Sequence, residues 1–343
     1  MSHTTKQNLP PMNRRRFLQA SLTCAPLLSL TKDISAAEVD RANSQNADAS
    51  AEQNVFDRLK GPMASITIPY NKDYSIDHGS LRSWVDSMCE NKAPILFLTY
   101  GDSELYNLSE QEIEAVIRTV AKQAKGRSLV IGGTPHGWTG QTVNFINRLE
   151  DSGVDAVNVH LYSTNEDEIY RAFLQISQQT RLPLLAYESK WSIKLVTRIA
   201  QIPHIVGMKC HAELYGYYDF IRATKGSRFA VLSAGQMKHF LFGFLIGSPA
   251  YLCPLTPFAP QVGLRFYNAL KAGNVTGARQ MIFDYEEPLL KLTIPLRYPH
   301  AYKSALYLTG HYKTNLMRPP KRTNSPAEIE PLRQFLQEKG LVG

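Results

Sequence analysis

The amino-acid sequence predicts a (β/α)8 TIM barrel with a C-terminal helical extension. Short apolar runs of strand length recur along the 343 residues, and amphipathic segments of helical length lie between them. The starts of successive runs are about 20 to 35 residues apart, which is the length of one strand, one helix and two loops. The runs are continuous rather than alternating, as expected for parallel strands that are buried on both faces.

Eight apolar runs provide the predicted strands. They are Ala64–Ile68, Ile95–Leu98, Leu129–Ile131, Ala156–Val159, Leu184–Ala186, Ile205–Met208, Phe229–Leu232 and Ala250–Cys253. Between them, Ser109 and Glu112 have the spacing of a helix capping box, and Thr139 precedes a second helical pattern. After the last strand, helical patterns continue at 262–272, 275–292, 301–308 and 326–339. We therefore expect the barrel at residues 55–258 and the helical extension at 259–343.

The N-terminal segment has the pattern of a targeting signal. Arg14–Arg16 precede Phe17-Leu18, a short and weakly apolar stretch, and then the small residues Ser35-Ala36-Ala37. This order resembles a twin-arginine export signal. We expect a signal at residues 1–37, a solvated linker at 38–54, and export to the periplasm by the twin-arginine machinery. The alternative is a basic tail without a targeting role.

Composition excludes several classes of protein. No apolar run reaches the roughly 18 residues that span a bilayer, so stable membrane insertion is not expected. The chain has 38 Lys and Arg against 30 Asp and Glu, but past residue 37 the balance is 33 against 29 and the excess is scattered. A nucleic-acid partner is therefore not expected. The four cysteines lack metal-ligand or disulfide spacing, and nucleotide-binding motifs are missing, so the sequence predicts no metal and no cofactor.

Polar residues follow the predicted strands, where barrels of this kind build their active sites. They are Thr99, Gly101, Asp102, Ser103, His136, His160, Tyr162, Tyr187, Glu188, Lys209 and His211. Lys209 emerges directly from an apolar strand, and loss of water around an ammonium favours the neutral amine. A neutral amine is the nucleophile that forms an imine with a ketone or aldehyde. Tyr187 is a candidate to shuttle the protons of that reaction.

Motifs along the chain resemble those of one family of barrel enzymes. They are Gly61-Pro62, Pro69-Tyr70, Ser103-Glu104-Leu105-Tyr106-Asn107-Leu108-Ser109, Leu182-Pro183-Leu184-Leu185-Ala186-Tyr187, Val206-Gly207-Met208-Lys209, Leu232-Ser233-Ala234-Gly235, Gly247-Ser248-Pro249-Ala250, Lys303-Ser304-Ala305-Leu306 and Arg318-Pro319-Pro320. In this order, they resemble the dihydrodipicolinate synthase and N-acetylneuraminate lyase family, whose members are Schiff-base-forming lyases. The resemblance extends through roughly residues 60 to 340.

The resemblance implies roles for three residues. Lys209 would form the imine, Tyr187 would relay protons and contact a substrate oxygen, and Tyr162 would reach into the site of a neighbouring subunit. It also implies a homo-oligomer, a dimer or tetramer, that acts on a small carbonyl compound. The residues expected to bind this substrate are Thr99, Gly101, Asp102, Ser103, Glu188 and Gly235.

The carboxylate-binding loop departs from the family pattern. The family's Gly-Thr-Thr-Gly-Glu corresponds to Tyr100-Gly101-Asp102-Ser103-Glu104, so an aspartate occupies the place where a keto-acid carboxylate would bind. Two anions a few ångströms apart repel by about 4 kcal/mol at an effective dielectric of about 20. Ser192 also replaces an arginine that grips carboxylates in some members. We therefore expect a sugar-derived or polyhydroxylated carbonyl substrate whose hydroxyls meet Asp102 and Glu188, rather than pyruvate.

Two other functions remain open from the sequence. A barrel that lost its keto-acid cradle can serve as a non-catalytic ligand-binding protein. Alternatively, a metal-dependent isomerase or hydrolase can be built from imidazoles and carboxylates that meet at one barrel mouth. The candidates for such a centre are Asp102, His136, His160, Glu188 and His211.

Overall fold

The computed structural model describes residues 48–188 and 190–342 and confirms the predicted (β/α)8 barrel. Parallel strands pair in chain order, and the first strand closes the barrel against the last. The strands are β1 (Gly61–Ser65), β2 (Ile95–Phe97), β3 (Leu129–Gly133), β4 (Ala156–Val159), β5 (Leu184–Tyr187), β6 (Ile205–Cys210), β7 (Ala230–Ser233) and β8 (Ala250–Leu252).

Helices follow the strands around the barrel. After a first helix α1 (48–58), they are α2 (His78–Glu90), α3 (Glu110–Ala124), α4 (Thr139–Arg148), α5 (Glu166–Gln179), α6 (Ile193–Ile199), α7 (Leu214–Ala223) and α8 (Met237–Ile246). The predicted capping box is confirmed at the start of α3, where Ser109 and Glu112 bond to each other's backbone N–H groups. This satisfies donors that the first turn of a helix leaves free.

The C-terminal helical extension is also confirmed. It consists of α9 (Pro260–Lys271), α10 (Val275–Met281), a π-helical turn (Ile282–Glu286), α11 (Glu287–Leu296), α12 (Tyr298–Leu308) and α13 (Glu330–Glu338). In the described ranges, no helix combines the length and the apolar character needed to cross a bilayer.

Near the start of the barrel, the structure differs from the prediction in two places. β1 begins at Gly61, three residues before the predicted start, because Pro62 occupies an early strand position where its missing N–H is tolerated. Residues 48–54, predicted as linker, belong to α1. That helix buries Val55, and Leu59 just after it, against the side chains that fill the barrel interior. The predicted signal and residues 38–47 lie outside the described residues.

Two apolar cores hold the barrel. The inner one fills the barrel between strands, and the outer one packs the helices against the sheet. Close approach of strands requires glycine at Gly207, where an added Cβ would lie 2.5 Å from the carbonyl oxygen of Ala230. The register of β5 and β6 places Tyr187 directly beside Lys209. The two candidate catalytic residues are therefore neighbours at the same end of the sheet.

Candidate active site

A cavity of about 460 Å³ opens at the carboxyl ends of the strands. Its lining residues include Thr99, Gly101, Asp102, Tyr187, Lys209, His211, Glu213, Gly235, His239 and Tyr298. A further cavity of about 530 Å³ lies at the amino ends of β7 and β8, and its lining is mostly apolar with the two cations Arg222 and Lys225. Of these two cavities, the first brings together polar groups that the sequence singled out.

Lys209 lies at the end of β6 with only 5% of its surface exposed. Burial lowers the pKa of its ammonium to about 8, and the negative charge of Asp102 opposes this shift. About one molecule in ten then carries the neutral amine at pH 7, compared with fewer than about one in a thousand at the ordinary pKa. Lys209 Nζ is 3.1 Å from Nε2 of His211 and 5.2 Å from the ring centre of Tyr187. The amine is thus set between an imidazole and a phenol.

Tyr187 is half-buried at the end of β5. Its ring lies 4.2 Å from that of His160 and 4.8 Å from that of His211, measured between centroids. Burial raises the pKa of its hydroxyl, and the neighbouring Glu188 raises it further. The phenol therefore stays protonated and can donate a hydrogen bond to a substrate oxygen.

Asp102 lies in the loop after β2, where its side chain is buried near Lys209. Burial raises the pKa of this carboxyl, whereas Lys209 and hydrogen bonds from Tyr298 and Ser65 lower it. Because burial penalises both charges and each charge favours the other, the carboxyl and the amine form a coupled pair. A substrate that reacts with the amine of Lys209 would bring any neighbouring anionic group close to the carboxyl of Asp102.

Thr99 and Ser103 hold the same loop in shape. The Oγ1 atom of Thr99 accepts a hydrogen bond from the backbone N of Asp102 at 3.2 Å, and the Oγ of Ser103 accepts one from the backbone N of Thr99 at 2.9 Å. Gly101 and Gly235 line the cavity, and a Cβ at either would meet no atom within 4 Å. Thr99 and Ser103 therefore shape the loop, whereas Gly101 and Gly235 border open space.

Glu188 is almost fully buried, with 1% exposed, and it does not line the main cavity. One oxygen accepts a hydrogen bond from the backbone N of His211 at 2.7 Å, and the other accepts one from the backbone N of Trp191 at 3.2 Å. These contacts join the loops that follow β5 and β6. The expectation that substrate hydroxyls meet Glu188 stays a prediction.

Tyr162 is 72% exposed at the outer rim of the mouth. Its hydroxyl lies 3.3 Å from the hydroxyl of Tyr100, and its ring lies 4.0 Å from that of His136. His160 stacks on Tyr100 with centroids 4.7 Å apart, and burial lowers the pKa of His160 to about 4. Tyr162 thus belongs to an aromatic cluster that adjoins Tyr187. Its predicted entry into a neighbouring subunit's site stays a prediction.

Tyr298 and His239 are among the cavity residues that sequence reasoning missed. Tyr298 starts α12 in the helical extension, far along the chain from the strand ends that directed the search. His239 lies in the first turn of α8, where its Nδ1 is 2.8 Å from the Oγ of Ser233. Neither residue follows a strand directly, so only tertiary packing could place them at the mouth.

The geometry does not favour the metal hypothesis. Among residues 48–188 and 190–342, no three His, Cys, Asp or Glu side chains converge as ligands. His211 is directed at Lys209, and Glu188 is directed at backbone N–H groups. His136 and His160 pack ring against ring, with centroids 4.7 Å apart.

Comparison with known proteins agrees with this architecture. The model of the dihydrodipicolinate synthetase family matches residues 58–339. A probable 5-dehydro-4-deoxyglucarate dehydratase of Streptomyces avermitilis is 27% identical over 300 residues, covering 82% of this chain and 89% of its own length. An uncharacterised DapA-like lyase of Thermococcus kodakarensis is 27% identical over 301 residues, covering 82% of this chain and 99% of its own length.

Solved structures show the same fold. The crystal structure of dihydrodipicolinate synthase from Thermotoga maritima superposes with a TM-score of 0.76 at 23% identity, covering 83% of this chain and 100% of that one. The family match spans most of the chain and includes every strand of the barrel together with Lys209 and Tyr187. The chain therefore belongs to the dihydrodipicolinate synthetase family and is a lyase.

Proposed function

We propose that this lyase acts through an imine between Nζ of Lys209 and the carbonyl carbon of a polyhydroxylated, sugar-derived substrate. The observation that carries the proposal is the lysine itself, which is buried at the end of β6, has a pKa of about 8 and faces a cavity of about 460 Å³. A buried amine with this pKa is a good nucleophile near neutral pH. It also has an acid partner, Asp102, in the same cavity.

The charges of the cavity support a hydroxylated substrate. Among the lining residues, the cation is Lys209, and the acidic groups are Asp102 and Glu213. A carboxylate next to the reacting carbonyl would lie beside Asp102, whose negative charge would repel it. Hydroxyl groups, by contrast, can donate to Asp102 and accept from the phenols of Tyr187 and Tyr298. We therefore place a hydroxyl-bearing carbon, rather than a carboxylate, beside Asp102.

Dehydration is the reaction that fits such a substrate, and the name of the Streptomyces relative describes a dehydratase of a sugar-derived compound. The imine nitrogen withdraws electrons, so a proton leaves the adjacent carbon and its electron pair forms an enamine. That pair then expels the hydroxyl of the next carbon, which takes a proton and leaves as water. Hydrolysis of the resulting unsaturated imine returns Lys209 as the free amine.

Borohydride trapping tests the imine. The protein is incubated with pyruvate, glyoxylate, dihydroxyacetone or one of several sugar-derived ketones, each in its own reaction with sodium borohydride. Adducts are located by peptide mass spectrometry. We expect a reduced adduct on Lys209 with hydroxylated ketones and none in Lys209→Ala. A control variant, Lys238→Ala, removes a lysine that pairs with Glu287 on the surface and should leave the adduct intact. Absence of an adduct with every carbonyl would overturn the proposal in favour of a binding protein.

We also propose that a second copy of the chain covers the outer face of α7 and α8. After Lys238 and His239 in its first turn, α8 has apolar side chains on every face, which is typical of a helix that is buried on all sides. Large side chains on these helices are nevertheless exposed, namely Leu214, Tyr215, Tyr218, Phe242 and Leu245. Light scattering should show a dimer or tetramer, and Phe242→Lys with Leu245→Lys should shift it to smaller species. A monomeric starting protein would contradict this.

For the leader we propose export by the twin-arginine machinery, with the protein working in the periplasm. The support is the Arg14-Arg15 pair followed by Phe17-Leu18 and the small residues up to Ala37. Replacing Arg14 and Arg15 together by lysine keeps the charge but removes the motif. Cell fractionation should then show the protein retained in the cytoplasm. Unchanged periplasmic protein in the Arg14→Lys, Arg15→Lys variant would refute the assignment.

A further inference from the structure

We propose that His211 is the acid–base group that moves protons during imine formation on Lys209. The inference rests on the proposed function, because it concerns the same reaction at the same lysine. It assigns a catalytic role to a residue that the sequence offered as a strand-end imidazole and a candidate metal ligand.

The geometry of the pair supports this role. Nε2 of His211 lies 3.1 Å from Nζ of Lys209, which is hydrogen-bond distance. His211 directly follows the last residue of β6, and Lys209 and His211 both line the cavity at the mouth. Lys209 is shielded, whereas the imidazole is open to the cavity. A substrate at the amine is therefore also in reach of the imidazole.

The backbone of His211 is held in place by a buried carboxylate. Glu188 accepts the backbone N–H of His211 at 2.7 Å, and the backbone N of Glu188 in turn donates to the carbonyl of Lys209 at 3.1 Å. The ring of Tyr187 packs beside the imidazole. These contacts fix the position from which the ring reaches Nζ. Glu188 is a positioning residue in this arrangement.

Other candidate bases are engaged elsewhere. The loop hydroxyls of Thr99 and Ser103 accept backbone N–H groups. Burial raises the pKa of the Tyr187 hydroxyl, which makes the phenol a donor rather than a base. Partial loss of water around the ring and the nearby charge of Lys209 lower the pKa of His211, so its imidazole is neutral and keeps a lone pair. His211 therefore offers a free base next to the reacting nitrogen.

The proposed step balances as follows. The lone pair of neutral Nζ forms the C–N bond, and the carbonyl π electrons move to the oxygen. His211 takes one proton from the positively charged nitrogen and returns it to that oxygen, which gives a neutral carbinolamine and a neutral imidazole. The hydroxyl then takes a proton from solvent through the imidazole of His211 and leaves as water, and the nitrogen lone pair completes the C=N bond. The products are water and a protonated imine, and His211 ends neutral.

Reductive methylation with formaldehyde measures this step without the natural substrate. Formaldehyde is small enough to react in every variant, and saturating cyanoborohydride makes imine formation set the rate. Methylation of Lys209 is followed over time by peptide mass spectrometry at pH 7. We compare the wild type with His211→Gln, His211→Ala, and His78→Gln as a control imidazole on α2, away from the mouth.

We expect Lys209 to be methylated about 100-fold more slowly in His211→Gln, at the lower end of what general acid–base catalysis contributes. Added imidazole should restore at least part of the rate in His211→Ala, which a purely structural role of His211 would not produce. His78→Gln should react like the wild type. Far-ultraviolet circular dichroism checks that each variant is folded.

Three results would overturn the inference, and they differ in what else they affect. Unchanged methylation of Lys209 in folded His211→Gln would remove the role of His211 and leave the imine on Lys209 standing. If formaldehyde does not modify Lys209 in the wild type, the imine mechanism itself is refuted. Slow methylation of His211→Ala that imidazole cannot rescue would assign His211 a structural role only.

Discussion

Replacing Lys303 by methionine is expected to destabilise the protein by about 3 kcal/mol, because removing one partner of a buried ion pair strands the other charge. Nζ of Lys303 on α12 lies 2.5 Å from Oε2 of Glu104 in the loop after β2, and both side chains are fully buried. The ammonium also lies 4.2 Å from the ring centre of Tyr70. The pair joins the helical extension to the loop that carries Asp102.

The expected size follows from the surroundings of Glu104. Breaking a buried pair costs about 3 to 5 kcal/mol when the remaining charge has no other partner. Here Lys321 lies 3.5 Å from the second oxygen of Glu104 and is 23% exposed, so it can partly compensate the stranded carboxylate. We therefore place the cost for Lys303→Met near the lower limit.

Equilibrium unfolding in urea, followed by tryptophan fluorescence, measures this cost. Lys238→Met is the matched control, since Lys238 pairs with Glu287 at 3.4 Å with both side chains well exposed. An exposed pair contributes less than about 1 kcal/mol. The double variant Glu104→Gln, Lys303→Met should be more stable than Lys303→Met alone. Equal losses for Lys303→Met and Lys238→Met would refute the reasoning.

Three further predictions concern the site and the barrel. Asp102→Thr should increase trapping of pyruvate on Lys209 at least tenfold, since it removes a repulsion of about 4 kcal/mol. An unchanged yield would show that Asp102 does not determine which substrate reacts. The rate of trapping should rise about tenfold per pH unit up to pH 8 and then level off, because only the neutral amine reacts and the pKa of Lys209 is about 8; continued increase to pH 10 would contradict this. Gly207→Ala should cost about 1 to 3 kcal/mol in urea unfolding, because its Cβ would lie 2.5 Å from the Ala230 carbonyl; wild-type stability would show that the strands can separate.

Much of the architecture was predictable because strand and helix periodicity are local properties. The runs from Ile95 to Cys253 correspond to β2 to β8, and the capping box at Ser109 begins α3 as expected. The start of β1 was misplaced because Gly61-Pro62 has the local pattern of a turn. Residues 48–54 were assigned to a linker because their composition is polar, whereas α1 is stabilised by burial of Val55 in the barrel interior.

The site was predictable in part for the same reason. Lys209 and Tyr187 follow strands, and parallel strands of a closed barrel bring their carboxyl ends to one mouth. The sequence by itself therefore determined the barrel, its family and the lysine on which the chemistry is proposed. It also placed Asp102 where the family has a threonine.

Only the tertiary structure determined which contacts each polar residue makes. Glu188 and Asp102 look equivalent in the sequence, yet Glu188 binds backbone N–H groups while Asp102 faces the amine. Tyr298 enters the cavity from α12. The 3.1 Å separation between Nζ of Lys209 and Nε2 of His211 also comes from the tertiary structure. Such differences depend on side-chain direction and burial, which arise from contacts between segments far apart in the chain and are not written in any local pattern.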